Sequence, residues 1–184
     1  MRQLFVFVEE PSSAVFVRHL GRSFAVEDRL RVLEHQGAGD LEKSLATKIK
    51  VICHEKNRII VLRDQDNYDC IDLKQKILRI LPNSIHNITK VRIACRELEA
   101  WYIAQPEALK LARVLKSDLP NALLKRDPDS IIDPKQEVRS RSHKRGQIWL
   151  ADAIVPHLNL NSIKSTSFKN FLCTFKDGAD WLRL

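Results

Sequence analysis

The chain has 184 residues, enough for one domain, and 44% of them are hydrophobic, enough to bury a sizeable core. With 29% charged residues these figures exclude a disordered or fibrous chain, and no apolar run approaches the ~20 residues needed to cross a bilayer. Lys and Arg total 31 against 23 acids, a formal charge of +8 that attracts phosphate polymers before any specific contact forms.

The first element is a strand over residues 3–8, a β-branched and aromatic run (QLFVFV). Its apolar stretch is short and ends in two glutamates, unlike a signal-peptide core, so a cytoplasmic protein is expected. Pro11 and Ser12 open a helix that Ser12 or Ser13 can cap, with Val15, Phe16, His19 and Leu20 on one face. Residues 29–34 alternate as a second strand. Gly37 and Gly39 end it, and Asp40 can cap a helix whose apolar side carries Leu41, Leu45 and Ile49. RIIVL (58–62) is a continuous apolar run, which predicts a strand covered on both faces. An amphipathic helix follows over 71–81, stopped by Pro82, and then a strand over 91–95. A helix begins in ELEAWYIA and is interrupted by Pro106.

This alternation predicts an α/β domain with a largely parallel sheet over about residues 1–105. The rest, about 106–184, is expected to be helical (106–116, 147–158, 165–176) within the same single domain over 1–184. Ser165 or Ser167 caps the last helix, and its stripe of Phe168, Phe171, Leu172 and Phe175 is expected in the core, as is Trp101. Residues 125–146 read as a polar loop. Cys53, Cys70, Cys95 and Cys173 form no CxxC pair and the six histidines are scattered, so reduced, buried thiols are expected and no transition-metal site.

In open α/β sheets, ligands bind beyond the carboxyl ends of the strands. Here those ends are acidic: Glu9 and Glu10 after the first, Asp64 and Asp66 after the third, Glu97 and Glu99 after the fourth. Asp64 and Asp66 are two residues apart, so in an extended segment both side chains leave on one face. Close carboxylates repel unless a cation sits between them, and Mg2+ prefers carboxylate oxygens. Glu9, Asp64 and Asp66 are therefore expected to bind metal and to carry catalysis, with Mg2+ or Mn2+ as cofactor. Glu10, Asp69 and Asp72 read as polar strand ends or helix caps, and Glu97 or Glu99 as a first-turn residue of a helix. The stretch 135–146 (KQEVRSRSHKRG) is basic. Its Arg139, Arg141, Lys144 and Arg145 are candidate nucleic-acid contacts on a mobile loop, and otherwise simply solvated. Arg63 and Arg96 either contact substrate phosphate or neutralise the adjacent acids.

An acidic residue after strand one followed by DxD after a later hydrophobic strand resembles the Toprim domain. More closely, FVFVEEPSSAVFVRHL, IIVLRDQDNYDCIDLKQKIL, VRIACRELEAWYIA and SFKNFL resemble a bacterial Toprim-like family related to the OLD-family nucleases, often encoded beside an AAA- or ABC-type ATPase. The resemblance implies a Toprim-like α/β fold with a helical C-terminal part. It also implies Mg2+-dependent nuclease action on nucleic acid, an ATPase partner, a role in phage defence and no membrane association. Carried over, Glu9 is the Toprim glutamate, Asp64 and Asp66 the metal-binding DxD, and Glu97 and Glu99 further ligands or shapers of the site. The first loop departs from the usual VEGxxE: Glu10 replaces the Gly and Ser13 stands where a second Glu is common, a change that bears on metal number. Two other readings are a non-catalytic binding subunit of an ATPase complex and a receiver-like signalling domain. The receiver requires a lysine at the end of a fifth strand.

Overall fold

The computed structural model describes all 184 residues. Four strands, β1 (Gln3–Val8), β2 (Leu30–Glu34), β3 (Asn57–Asp64) and β4 (Thr89–Ala94), form one all-parallel sheet in the order β2-β1-β3-β4. Nine α-helices accompany them: α1 (Pro11–Ser23), α2 (Ala38–Ile52), α3 (Cys70–Ile80), α4 (Glu99–Ile103), α5 (Pro106–Leu111), α6 (Asn121–Leu124), α7 (Pro134–Arg141), α8 (Gln147–Ile154) and α9 (Thr166–Arg183). With four strands there is no fifth to carry a receiver lysine.

Strand alternation sorts the core into two layers. Leu4, Val6 and Val8 face α1, α4, α8 and α9, while Phe7 faces α2 and α3 with Ile59 and Val61. In β3, Ile59 to Leu62 are all buried, as expected of a strand covered on both faces. The chain runs from β1 to β2 on one side and then crosses to β3 on the other. A crevice therefore opens at the carboxyl ends of β1 and β3, where the acidic residues lie.

The C-terminal half completes the first layer. Trp101 stacks on Phe168 at 4.9 Å between ring centroids and meets Phe16 at 5.3 Å, each such pair adding about 0.5–1.5 kcal/mol beyond area burial. Its indole N–H donates to Ser167 Oγ at 2.7 Å, so the buried donor is satisfied. α9 runs past the expected residue 176 to Arg183, because Ala179 and Leu182 prolong the buried stripe. Gly178 lets it approach β1: a Cβ there would lie 3.1 Å from the Leu4 methyls.

Local starts differ in instructive ways. α1 begins at Pro11, which suits the first helical position, so Glu10 flanks the helix and Ser12 and Ser13 are buried inside it. Gly37, at φ 99°, takes the N-cap of α2, and Asp40 instead accepts from the Gln36 amide. Asp69 and Ser165 cap α3 and α9 as expected. The thiols are not buried as expected: Cys53 ends α2, Cys173 lies on the outer side of α9, and both are exposed, while Cys70 and Cys95 are half-buried.

Residues 134–141 of the basic stretch form α7 where a loop was expected, while residues 143–146 belong to no helix or strand. Asp133 caps α7 by accepting from the Gln136 amide, and Pro134 starts it. The following turn is pinned to residues 114–116 through Lys116 N–H to Arg141 O (2.7 Å) and His143 N–H to Val114 O (2.9 Å).

Asp129 anchors α9. It accepts from Ser165 Oγ (2.6 Å), Ser167 N (2.7 Å) and Ser167 Oγ (2.9 Å). Asp129→Ala is expected to lower unfolding stability by about 1–3 kcal/mol, measured by urea denaturation. A loss no larger than that of an ordinary surface substitution would show that the anchor carries no weight.

Candidate functional site

Six carboxylates gather at the carboxyl ends of β1, β3 and β4, and two side-chain cations stand among them. Glu9 follows β1 and is 8% exposed. Its Oε2 accepts from Arg63 Nη1 (2.7 Å) and from the Asp64 amide (3.1 Å). Burial raises its pKa, and the opposing pull of Arg63 only partly offsets this. Arg63, the penultimate residue of β3, is 2% exposed. Its Nη1 also reaches the Asp64 carbonyl (2.6 Å) and Asp66 Oδ2 (3.0 Å). Of the two roles considered for Arg63, neutralising the acids is the one its contacts describe.

The shared-face argument for Asp64 and Asp66 does not hold. β3 ends at Asp64, and Asp66 adopts a left-handed backbone (φ 53°) with its amide bonded to the Arg96 carbonyl at 3.0 Å. The pleat therefore stops short of Asp66, which turns its half-exposed side chain to Arg63. Arg96, also left-handed, donates its amide to Gln65 Oε1 (2.9 Å), so the loops after β3 and β4 are tied together.

Lys135 forms the second junction. Its ammonium stands 3.5 Å from Glu10 Oε1 and 3.4 Å from Glu97 Oε1. Its amide, in the first turn of α7, donates to Glu97 Oε2 at 3.0 Å. Burial works against its charge, yet Glu99, Glu10, Glu97 and Asp64 raise its pKa. Gln147 adds a donor to Glu10 Oε2 at 3.0 Å. A cavity of 410 Å3 lined by Glu10, Gly37 and Gln147 opens beside this junction.

Two carboxylates lack a partner. Asp64 is 5% exposed and its carboxylate accepts no hydrogen bond, so burial, then Glu99, Glu9 and Glu10, push its pKa well above the usual range. Glu99 is 3% exposed, bonded only by its own backbone amide, and burial pushes its pKa up to about 7 against the pull of Lys135. The buried Tyr102 hydroxyl also has no partner, and its pKa rises through burial and the charges of Glu99 and Asp64.

No three His, Cys, Asp or Glu side chains are grouped closely enough to form a ready-made metal centre. The donor chemistry nevertheless suits a hard cation: all oxygens, with Asp64 buried and held by no ion pair or hydrogen bond. Sequence reasoning missed Tyr102 and the inward role of Lys135. The signal for Lys135 was Asp133-Pro134 with Glu137, which opens a helix at the site rather than a loop.

Arg139, Arg141, Lys144 and Arg145 lie between two contacts to Glu10, made by Lys135 and Gln147, so the basic stretch leaves and returns at the site. Arg141 is spent on Glu137 at 2.7 Å. The Lys144 ammonium lies over the Trp149 ring at 5.2 Å from its centroid, and Arg145 is exposed.

No protein-family model and no curated protein matches the sequence. Solved structures do. The C-terminal region of the Burkholderia pseudomallei OLD protein superposes with a TM-score of 0.58 at 12% identity, over 97% of this chain and 99% of that one. Two structures of the C-terminal region of the Xanthomonas campestris pv. campestris OLD protein give 0.58 and 0.54, at 13% and 10% identity, over 99% and 100% of this chain and 96% and 98% of those. The chain has the fold of the C-terminal region of OLD proteins. That fold agrees with the Toprim-like resemblance and spans the helical part as well as the sheet. No helix is long and apolar enough to cross a membrane.

The raised pKa of Glu99 has a consequence for stability. Between the ordinary glutamate value and about 7 the folded state holds a proton that the unfolded state releases, so stability falls as pH rises through that window. In a chelator, Glu99 alone is expected to contribute a loss of stability on the order of 3 kcal/mol between about pH 5 and 8. Glu99→Gln should flatten that slope and be the more stable protein at pH 8. Equal slopes in the two proteins would contradict this assignment.

Proposed function

We propose that this protein hydrolyses phosphodiester bonds in nucleic acid with Mg2+ or Mn2+ bound at the carboxylate site, as the nuclease of an ATPase-coupled phage-defence system. The observation that carries the reading is Asp64, a buried carboxylate with no ion pair and no hydrogen bond at the crevice of an open α/β sheet. A buried, uncompensated charge persists only where something neutralises it. The OLD-type fold and the order of acidic motifs support the reading.

Asp64 and Glu99 would hold the ion. When bound, the ion supplies an activated water and offsets charge on the scissile phosphate. The water oxygen bonds to phosphorus as the bond to the leaving sugar oxygen breaks. Glu9, whose Oε2 is fixed by Arg63 and the Asp64 amide, is placed to take the water proton at Oε1. Arg139, Lys144 and Arg145 face the polymer backbone, and Arg141, committed to Glu137, shapes that surface. The alternative of a non-catalytic binding subunit is favoured by one observation: Arg63 and Lys135 form ion pairs with four of the six carboxylates.

Asp64→Asn should fold, lose Mn2+ binding and lose metal-dependent cleavage, assayed on purified protein with and without its ATPase partner. Wild type that binds nucleic acid but never cleaves it, partner present, would leave the binding-subunit reading. Replacing both Lys144 and Arg145 with Ala should weaken binding equally for all sequences and reduce the salt slope by about 0.9 per lost duplex phosphate contact. Unchanged salt dependence would remove this stretch from the interface.

A further inference from the structure

We propose that the Arg63 guanidinium occupies the place of a second divalent cation, so that the site binds one metal ion. The proposal rests on the metal-dependent reading above. Three oxygens from two strand ends converge on one nitrogen, Arg63 Nη1: Glu9 Oε2 at 2.7 Å, Asp66 Oδ2 at 3.0 Å and the Asp64 carbonyl at 2.6 Å. Carboxylates and a backbone carbonyl around one positive centre make the surroundings of a hard cation. Here the centre is a side chain that is always charged and cannot dissociate.

Arg63 is not a surface ion pair that happens to reach inward. It is 2% exposed, and its Nε is buried without a partner, so the guanidinium is gripped through Nη1 alone. The Tyr68 ring lies over it, 5.9 Å from the centroid. A metal ion at this point would have to displace a desolvated, permanent charge and leave it unpaired, which is the costly way to break a buried pair.

The ion pairs divide the acids in the same way. Arg63 serves Glu9 and Asp66, and Lys135 serves Glu10 and Glu97. Asp64 and Glu99 are the two acids that no ion pair reaches, and together they offer the oxygen donors for one divalent ion. The unpartnered Tyr102 hydroxyl is buried beside them and answers to both their charges, which marks the vicinity of Asp64 and Glu99, not that of Asp66, as the unsatisfied end of the cluster. Glu9 is then held on Arg63 through Oε2. Arg63, sealed from solvent, is a positioning residue that fixes Glu9, and Asp66 is its anchor, not a metal ligand.

The test counts bound Mn2+ per chain by electron paramagnetic resonance, with no substrate present. Wild type should bind one ion. Asp66→Asn should bind one with affinity within about threefold of wild type, while Asp64→Asn should lose tenfold or more. Arg63→Gln, if its circular dichroism shows it folded, should bind two. Two ions in wild type, a tenfold loss in Asp66→Asn, or a folded Arg63→Gln that still binds one would each overturn the proposal and leave the metal-dependent reading standing. No ion bound by wild type would overturn that reading and the proposal with it.

Discussion

The contact on which the site depends is made by Glu9, whose Oε2 accepts from both the Arg63 guanidinium and the Asp64 amide. It ties the end of β1 to the end of β3 across the crevice where the chain changes direction. β1 pairs with β3 through Val8 and Leu62, and β3 with β4 through Asp64 and Ala94, so the strand ends arrive in step. Parallel pairing thereby concentrates acids from three strands at one edge, and concentrated acids repel. Arg63 and Lys135 relieve part of that repulsion, each bridging two carboxylates. Asp64 and Glu99 are left without an ion pair, and burial first, then the neighbouring acids, raise their pKa values.

The two halves of the chain meet at this edge. Lys135 comes from α7, in the helical half, yet it serves acids that follow β1 and β4. α9 lies across the sheet and is fixed by Asp129 on one side and by the Trp101–Phe168 stack on the other. The helical part therefore closes the site rather than merely adjoining it. The overall charge of +8 and the local cluster of acids have separate roles. In the proposed function, long-range attraction would draw in a polyanion, and the buried acids, which would repel phosphate if bare, would require a cation before a phosphate could approach.

Much of this was legible in the sequence, because its cues are local. LFVFV, RIIVL and VRIAC mark strands, Asp69 and Ser165 cap helices, and the Phe168–Phe175 stripe marks a core helix. The acidic strand ends followed from the general position of ligands in open sheets. The illegible parts depend on where backbone direction changes. The same-face argument for Asp64 and Asp66 assumed an extended segment, but a left-handed residue at Asp66 ends it. The basic stretch read as a loop because its charges outweighed its Asp-Pro start, and its lysine points inward to a partner 125 residues away. Nothing in a linear reading pairs Arg63 with Glu9, since that needs the strand order.

The central claim is that the unbalanced charge at Asp64 and Glu99 is the seat of one divalent cation. Anomalous diffraction from a crystal soaked in Mn2+ tests it most directly. The account predicts one peak, in contact with the Asp64 and Glu99 carboxylates, with Arg63 still seated between Glu9 and Asp66. A peak between Glu9 and Asp66 with Arg63 displaced, or no peak at Asp64, would contradict it.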